Sequence, residues 1–534
     1  MTRPTQTVWP HFCEVVQRDP EAPAAIDGED RWTYRHLSER STSLARALLA
    51  HGVRRGEHVA ALLRNCPEWL AVQLAVMQVG AVLVPVNTRY KVEELAYCLR
   101  QSDSVLFFTM PEFVGINYHA MLGEIISRVG DAALPKLRQV VSLGHEPFPG
   151  GMTLAAFEGS GQGVSASHLE ARRAAVTPDD LALIIYTSGT TGVAKGAMHD
   201  QGQVLLSALR LSRTLAPTDR ILVLGPYFHI MGFSYGVNGP LHAGAATVVL
   251  ATFNAQRALE IIEREGVTMV SGTPTMYQMM MARPEFARRD RSTLRVVYFG
   301  GAPATPALIE EIMRQFPGAR VSTGFGMSET MGASAALPGD TPEQLATTLG
   351  VLHDYLEGRI VEPQTGEDVP PGVSGELWLR GLNVTRGYYN LPEETARAIT
   401  PDGWLRTGDL FAQEPDSHLR MTGRLKEMYI RGGSNVYPAE VENFLHRHPD
   451  IEQVWLVGVP DDLYGEVGMA FVELRPGADL TAESLKAYCK GRIAGYKIPR
   501  YVHFTDQFPL TASGKVRKQE LRQEGCRLLG LKLR

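Results

Sequence analysis

A stretch rich in glycine and hydroxyl side chains follows an apolar segment of the chain. Leu181–Tyr186 has the apolar character of a buried strand and runs directly into Thr-Ser-Gly-Thr-Thr-Gly-Val-Ala-Lys-Gly. Glycines permit positive φ and close backbone approach, and successive backbone N–H groups form a concavity that binds anions. Tyr186–Ala197 is therefore predicted to be a phosphate-binding loop. Its candidate contacts are Thr187, Ser188, Gly189, Thr190, Thr191, Gly192 and Lys195.

This loop differs from the P-loop of many nucleotide hydrolases and kinases. The P-loop pattern needs a second glycine five residues after its first, whereas here that place is taken by Ala194. A flexible surface turn is the simpler alternative. It does not account for three glycines, four hydroxyl residues and a lysine directly after an apolar strand. A triphosphate is the expected ligand.

Four charged residues of interest stand in glycine-containing segments farther along the chain. They are Glu329 in Ser322–Thr330, Asp409 in Gly403–Leu410, Arg424 in Gly423–Glu427 and Lys515 in Pro509–Lys518. Taken alone, each would be a solvated residue of a turn, because charged side chains are ordinarily exposed. Together they supply the groups of a binding site. A carboxylate can hold a hard cation or accept two hydrogen bonds from a diol, and a cation can stabilise charge on phosphate.

Strand and helix patterns alternate along most of the chain. Helical periodicity marks Arg35–His51 and Gln256–Glu265, whereas Val59–Leu63, Ile221–Leu224 and Val296–Phe299 are short and apolar. This alternation predicts an α/β fold in which parallel or mixed sheets are covered by helices.

The pattern changes toward the C-terminus. Around Val373–Gly387 the strands become shorter and glycine-punctuated, which predicts a β-rich part over about residues 340–425. A compact unit of about 105 residues follows, long enough for its own core. Its predicted strands are Val454–Val459 and Ala470–Leu474, and its predicted helices are Pro438–His446 and Ala482–Arg492. We therefore predict a large N-terminal domain, residues 1–425, and a small α+β domain, residues 426–534.

The composition is that of a globular protein with several structural units. The 534 residues are 44% hydrophobic and 21% charged, and the net charge of −5 gives no reason to expect a nucleic-acid partner. Five isolated cysteines indicate a reducing compartment. No apolar stretch approaches the roughly 20 residues that span a bilayer. A cytoplasmic protein without an integral membrane segment is expected.

The charged segments belong to a longer series of motifs in a fixed order. The series resembles the adenylate-forming superfamily of acyl-CoA synthetases, adenylation domains and beetle luciferases. The resemblance implies an AMP-forming acid–thiol ligase, in which a carboxylate attacks the α-phosphate of ATP and a thiol, usually that of CoA, then attacks the acyl carbon. The matching segments are Thr33-Tyr34, Gly80–Asn87, Tyr186–Ala197, Pro226–Gly232, Gly300–Pro303, Ser322–Thr330, Gly403–Leu410, Gly423–Glu442 and Pro509–Lys518.

The resemblance also assigns roles to nucleotide-binding residues. Phe325, where most members carry Tyr, would flank the adenine. Glu329 would hold Mg²⁺, Asp409 would accept hydrogen bonds from both ribose hydroxyls, and Arg424 would reach the ribose or the phosphates. The remaining candidate contacts to the nucleotide are Gly301, Ala302, Pro303, Gly324, Gly326, Met327 and Ser328.

In the same way, Lys515 matches the family's catalytic lysine. A carboxylate must approach an anionic phosphate, and a cation that touches both reactants offsets their repulsion. No general base is needed, because the carboxylate is ionised at neutral pH. The resemblance implies that the small domain rotates between the half-reactions about a hinge at Lys426, and that the pantetheine arm of CoA passes Gly433.

The acyl pocket is expected beside His229, which matches a residue at the pocket mouth and is assigned as a gate. Tyr235–Gly239 contains no Asp to hold an amino group, as amino-acid-activating members require. Because such pockets are mostly hydrophobic, an apolar fatty, aryl or bulky cyclic acid is expected. The candidate pocket residues are His229, Phe233, Gly300, Gly301, Thr323, Gly324 and Met331.

Several alternatives stay open. CoA is the expected acceptor, with ATP and Mg²⁺, but the same residues fit an enzyme that loads a carrier-protein phosphopantetheine. A luciferase-like oxygenase shares the fold. A non-catalytic nucleotide-binding protein would be expected to have lost Lys195, Glu329 or Lys515, and all three are present. A homodimer is a further open alternative.

Overall fold

A computed structural model gives the fold and describes residues 1–129, 134–187, 194–301, 304, 306–432, 434–511 and 515–532. Its α-helices are Val8–Arg18 (α1), Tyr34–Ala50 (α2), Pro67–Gln78 (α3), Val92–Gln101 (α4), Tyr118–Val129 (α5), Leu154–Ser160 (α6), Ala166–Ala174 (α7), Gln201–Ser212 (α8), Gly239–Ala243 (α9), Ala255–Glu265 (α10), Pro274–Met281 (α11), Pro306–Gln315 (α12), Pro342–Thr347 (α13), Pro392–Ala398 (α14), Pro438–Leu445 (α15), Ala482–Cys489 (α16) and Lys518–Leu528 (α17). None of the helices in these ranges combines the length and apolar character needed to cross a membrane.

The strands form four larger sheets and two short ribbons. The strands are Pro23–Asp27 (β1), Asp30–Thr33 (β2), His58–Ala61 (β3), Val82–Pro85 (β4), Ser104–Thr109 (β5), Glu112–Phe113 (β6), Ile116–Asn117 (β7), Gln139–Ser142 (β8), Met152–Thr153 (β9), Leu181–Thr187 (β10), Lys195–Asp200 (β11), Arg220–Val223 (β12), Ala246–Val248 (β13), Met269–Gly272 (β14), Val296–Phe299 (β15), Arg320–Ser322 (β16), Ser334–Ala335 (β17), Val351–Leu352 (β18), Leu356–Val361 (β19), Gly375–Gly381 (β20), Leu405–Gln413 (β21), Leu419–Arg424 (β22), Tyr429–Arg431 (β23), Ser434–Val436 (β24), Ile451–Asp461 (β25), Gly465–Leu474 (β26) and Tyr501–Phe504 (β27).

Two seven-stranded sheets form the larger part of the molecule. Their orders are β11-β10-β4-β3-β5-β8-β9 and β16-β15-β14-β12-β13-β1-β2, and all neighbours are parallel except β10–β11 and β1–β2. Because parallel strands need crossover connections, helices cover these sheets, and the inner strands are buried along their length. The predicted α/β class with parallel and mixed sheets is confirmed.

One helix lies in the interior between the two sheets. Every residue of α3 except Glu68 is buried, and the helix contacts both β4 of one sheet and β1 of the other. A helix that is apolar on all sides is stable only when it is surrounded by protein. Its Pro67 occupies the first turn, where a missing N–H costs no hydrogen bond.

The C-terminal third contains two smaller sheets. Strands β19-β20-β21-β22 form an antiparallel sheet, and β24-β23-β26-β25 with β27 form another that is covered by α15 and α17. The sequence pattern predicts a strand from Ala470, but β26 begins at Gly465, because pairing with β25 along its whole length overrides the weak strand preference of its glycines. The predicted helix Ala482–Arg492 ends at Cys489, two residues before Gly491, which has a positive φ of 75°.

The chain crosses from one of these sheets to the other in a short turn. Leu425–Glu427 forms a single 3₁₀ turn between β22 and β23, and it contains the predicted hinge residue Lys426. The last residue of the turn, Glu427, forms an ion pair of 2.6 Å with Lys518 of α17, whose ammonium also lies 2.8 Å from buried Glu442. The domain boundary and the hinge stay predictions.

Candidate active site

The carboxyl ends of parallel strands bring several predicted residues together. Strands β12, β14, β15 and β16 run in the same direction, so the residues that follow them lie at one edge of the sheet. Gly300 and Gly301 follow β15, whereas Thr323 and Gly324 follow β16. The structure therefore places these four pocket candidates at one sheet edge, where α/β proteins bind their ligands.

A tight pairing of two segments shapes the loop that contains Glu329. A Cβ atom on Gly324 would lie 2.3 Å from the carbonyl oxygen of Ser334, so only glycine fits there. The amide of Ser334 donates to the carbonyl of Phe325 at 3.0 Å. The ring of Phe325 is buried, with its centroid 5.0 Å from that of Phe411 in a T-shaped arrangement. Adenine stacking on Phe325 stays a prediction.

Glu329 is a buried carboxylate. Its Oε1 accepts a 2.7 Å hydrogen bond from the hydroxyl of Tyr388, and its carbonyl accepts one of 2.7 Å from the amide of Thr385. Burial raises the pKa of Glu329, and the hydrogen bond from Tyr388 opposes this rise. A nearby cation would therefore favour the ionised form, because desolvation disfavours the isolated charge.

Lys195 lies at the start of β11, across from Thr187 at the end of β10. Its ammonium forms an ion pair with Glu394 of α14 and lies 5.3 Å from the centre of the Tyr388 ring. The amide of Tyr389 donates to the carbonyl of Gly196 at 2.9 Å, which holds this segment against β11. Lys195 and Glu329 are thus gathered around one tyrosine.

Asp409 and Arg424 face each other on neighbouring strands. They are cross-strand partners of β21 and β22, and the Nε of Arg424 lies 2.9 Å from Oδ1 of Asp409. Burial raises the pKa of Asp409, whereas the charge of Arg424 lowers it. The amide of Asp409 donates to the Thr407 hydroxyl at 3.1 Å. The predicted ribose pair is therefore adjacent in space as well as in the motif order.

Lys515 reaches from the small domain to the sheet edge described above. A Cβ atom on Gly301, whose φ is 82°, would lie 3.2 Å from Cε and 3.8 Å from Nζ of Lys515. The backbone of Lys515 is held by two hydrogen bonds to Thr511, of 2.7 and 3.0 Å. Burial, with the charge of Arg424, lowers the pKa of Lys515 to about 8.

His229 is a neutral imidazole beside this lysine. Burial and then the charge of Lys515 lower the pKa of His229 to about 3. Its Nδ1 accepts a 3.4 Å hydrogen bond from the amide of Met231. A base of such low pKa removes protons poorly at neutral pH. The role of His229 as a gate stays a prediction.

The other pocket candidates are buried next to this histidine. Phe233 lies in a turn of π-helix, Gly232–Asn238, and its ring packs edge-to-face on Trp69 at 6.0 Å. Such turns are rare and frequently occur at functional sites. Met331 is also buried and has a positive φ of 50°. The roles predicted for these residues stay predictions.

Part of the predicted site lies outside the described residues. Among the nucleotide candidates within the described ranges, Gly326, Met327 and Ser328 lie between Phe325 and Glu329. The carbonyl of Ser328 lies 2.7 Å from the Nε2 of buried His199. The candidates outside the described ranges are Ser188, Gly189, Thr190, Thr191, Gly192, Ala302, Pro303 and Gly433.

The sequence interpretation missed the residues that support the charged ones. Tyr388 contacts both Lys195 and Glu329, Glu394 pairs with Lys195, and Thr385 holds the carbonyl of Glu329. These residues lie almost 200 positions after the phosphate loop, and no periodicity links them to it. The sequence does contain a Gly-Tyr-Tyr triplet ahead of an acidic helix that begins with proline. By itself, this pattern indicates only an ordinary turn.

The chain matches two family models and many known enzymes. A model described as AMP-binding enzyme matches residues 12–389, and one described as AMP-binding enzyme C-terminal domain matches residues 440–515. A 7a-methyl-1,5-dioxo-octahydro-inden-4-yl propanoyl:CoA ligase of Mycobacterium tuberculosis is 37% identical over 528 residues, with 98% of this chain and 100% of that protein covered.

Human mitochondrial medium-chain acyl-CoA ligase ACSF2 is 34% identical over 538 residues, covering 97% of this chain and 87% of the relative. The crystal structure of the anthranilate CoA ligase AuaEII with anthranoyl-AMP shares the fold, with a TM-score of 0.85 at 24% identity and coverage of 99% and 98%. The chain therefore belongs to the AMP-binding enzyme family, the adenylate-forming enzymes that include the acyl-CoA synthetases.

Proposed function

We propose that this AMP-forming acid–CoA ligase activates a largely apolar carboxylic acid of fused-ring or medium-chain size. The observation that carries the proposal is the position of Lys515, whose ammonium lies against Gly301 at the sheet edge beside the neutral His229. The names of two relatives support the substrate class, since one specifies a fused-ring propanoyl group and the other a medium-chain acid.

In the first half-reaction the protein has to hold two anions together. The ammonium of Lys515 offsets the repulsion between the carboxylate and the α-phosphate and stabilises the charge that develops at phosphorus. Asp409 accepts hydrogen bonds from the ribose hydroxyls, and the charge of Arg424 favours the ionised form of this carboxylate. His229 borders the acyl group without exchanging a proton, because its pKa is too low.

Mg²⁺ fits the residues present. Glu329 is buried and desolvated, and its carboxylate accepts a hydrogen bond from Tyr388 but has no adjacent cation among the ion pairs of the described residues, so Mg²⁺ would be a favourable partner. When bound with ATP, the ion neutralises phosphate charge. Glu329 would hold it, while Lys195 would exchange its ion pair with Glu394 for contact with phosphate.

The proposal is tested by a pyrophosphate-release screen over medium-chain, long-chain, aryl, cinnamic-type and fused-ring acids. With CoA, we expect AMP and an acyl-CoA product for medium-chain or fused-ring acids. Loading of a purified carrier protein in place of free CoA would favour the alternative acceptor. Release with amino acids only, or with none of these acids, would contradict the proposal.

The rate of adenylation should depend on the charge of Lys515. Since its pKa is about 8, the ammonium predominates below that pH and is lost above it. The ratio kcat/KM for ATP reports the free enzyme, so we expect it to be level below pH 8 and to fall about tenfold per pH unit well above it. Measurement of pyrophosphate exchange from pH 6.5 to 9.5 checks this.

A matched variant separates Lys515 from other groups that titrate. A guanidinium stays charged throughout this range, so the profile of Lys515→Arg should lose the decline, at whatever rate that variant retains. A wild-type profile that stays level to pH 9.5 would show that the charge of Lys515 is not required.

A further inference from the structure

Arg210 is a half-buried cation whose neighbours are aromatic rather than acidic. It lies near the C-terminal end of α8, and a Cβ atom on Gly332 would come within 3.2 Å of its Nη2. Its Nε is shielded from solvent and has no hydrogen-bond partner among the described residues. Its side chain forms a hydrogen bond with Tyr235, and Tyr298 and Tyr355 also act on its charge. These neighbours supply no opposite charge, whereas a charge removed from water is normally paired, so Arg210 can take a further acceptor.

The groups around Arg210 leave further hydrogen-bonding capacity unused. The hydroxyl of Tyr355 and the Nε2 of His353 are both buried without a partner in the described part of the chain. The rings of these two residues are 5.4 Å apart, and Tyr235 stacks on Tyr298 at 4.4 Å. Native proteins leave few buried polar atoms unpaired, so these atoms are expected to contact a bound ligand or water.

The cluster formed by Arg210, Tyr235, Tyr298, His353 and Tyr355 carries one net positive charge. Burial and then the charge of Arg210 lower the pKa of His353 to about 3, so this imidazole is neutral. Neutral phenols and a neutral imidazole can donate hydrogen bonds, and a guanidinium only donates. The complementary ligand group is therefore a hydrogen-bond acceptor, and its most suitable atom is oxygen.

Residues of the cluster lie directly beside residues of the reaction centre. The hydroxyl of Tyr298 would lie 3.3 Å from a Cβ atom on Gly300, and the next residue, Gly301, lies against Lys515. Tyr235 belongs to the same π-helical turn as the pocket candidate Phe233. The cluster thus borders the expected acyl pocket, beyond the glycines that separate it from the lysine.

The side chains around Arg210 border a space large enough for a solvent molecule. Burial raises the pKa of Tyr298 well above its usual range, yet Tyr298, Tyr235 and Arg210 all keep partly accessible side chains. Residues that are deep and still accessible line an internal space rather than a packed core. An acyl chain that enters past His229 would meet this space.

We propose that Arg210 forms a polar subsite at the far end of the acyl pocket, and that the preferred acid carries an oxygen acceptor there, a ketone or a second carboxylate. This specificity rests on the proposed function. Arg210 with His353 and Tyr355 binds the distal oxygen, whereas the body of the acid contacts apolar residues. The group makes no contact with the reacting carboxyl and acts on substrate choice.

The test compares saturated acids of six to twelve carbons with their terminal-methyl-ketone and dicarboxylic counterparts of equal length. Formation of AMP with CoA is measured for the wild type, Arg210→Met and Arg210→Lys. Methionine preserves the apolar stem and removes the charge, and lysine preserves the charge. Thermal unfolding of each variant checks that it is folded.

We expect the wild type to prefer an oxo or dicarboxylic acid over the plain acid of that length by at least about tenfold in kcat/KM, because unpaired buried donors penalise the plain acid. Arg210→Met should remove this preference by raising KM for the oxygenated acid, so that the two acids of a pair become equal. The ketone and dicarboxylate arms identify which oxygen is bound.

A wild type that shows no preference at any chain length overturns the proposal, even if Arg210→Met does not fold. Equal losses with plain and oxygenated acids in a folded Arg210→Met also overturn it, since they indicate a purely structural arginine. Both results leave the proposed ligase function intact. That function fails separately, if the wild type activates none of the acids.

Discussion

Replacement of Lys515 by alanine should lower the rate of acyl-adenylate formation by about three orders of magnitude, the scale seen for cations that stabilise phosphoryl transfer. The ammonium lies at Gly301 and is the charged group that the small domain contributes to this sheet edge. Without it the carboxylate meets the anionic phosphate uncompensated. The measurement is exchange of labelled pyrophosphate into ATP in the presence of the acid.

The second half-reaction provides the internal comparison for this variant. If the small domain rotates, Lys515 leaves the site before the thiol attacks, so thioester formation from a supplied acyl-adenylate should continue near the wild-type rate. Lys490→Ala, which removes an exposed lysine of the same domain, should leave both steps unchanged. Comparable losses in the two half-reactions would contradict the role assigned to Lys515.

Glu329→Gln should reduce adenylation by about two orders of magnitude, with a higher Mg²⁺ requirement. The amide has nearly the same shape and can still accept the hydrogen bond from Tyr388, so the change removes charge with little change in packing. The charge matters because the site is buried and a hard cation needs an anionic oxygen there. The rate of pyrophosphate exchange is measured against Mg²⁺ concentration.

Tyr388→Phe is the matched control for this change. It removes the hydrogen bond to Glu329 and preserves the carboxylate and the ring beside Lys195, so a much smaller loss is expected, about tenfold or less. If Glu329→Gln retained wild-type activity at limiting Mg²⁺, the carboxylate would not be the group that holds the ion.

The strand and helix patterns predicted the large sheets well because those elements are buried on both faces. Val296–Phe299 was predicted with the bounds that the structure gives, and Leu181–Tyr186 differs by one residue. Apolar runs of this kind need no partner to be recognised. The bounds were poorer where pairing decides the conformation, as at Gly465–Leu474, whose glycines pair only because β25 lies alongside.

The motifs predict which residues form the nucleotide site, whereas no motif predicts the polar subsite that we propose around Arg210. Asp409 and Arg424 belong to neighbouring motifs, so the resemblance assigned both to the nucleotide, and the structure adds that they form an ion pair. Arg210, His353 and Tyr355 come from two distant segments and match no motif. In a sequence, an arginine near a helix end is ordinarily solvated, and only the packed fold reveals that its neighbours are three tyrosines.

The turn Leu425–Glu427 has an ion pair near each end, and neither pair joins the two sides of the turn. Arg424 is tied to Asp409 within the large part, and Glu427 is tied to Lys518 within the small one. If the chain pivots at the predicted hinge Lys426, each ion pair stays intact and moves with the part of the molecule that contains it. The switch between the half-reactions would then break neither of these two salt bridges, so the effect of ionic strength on its rate would come from charges such as Lys515 that move away from the large part.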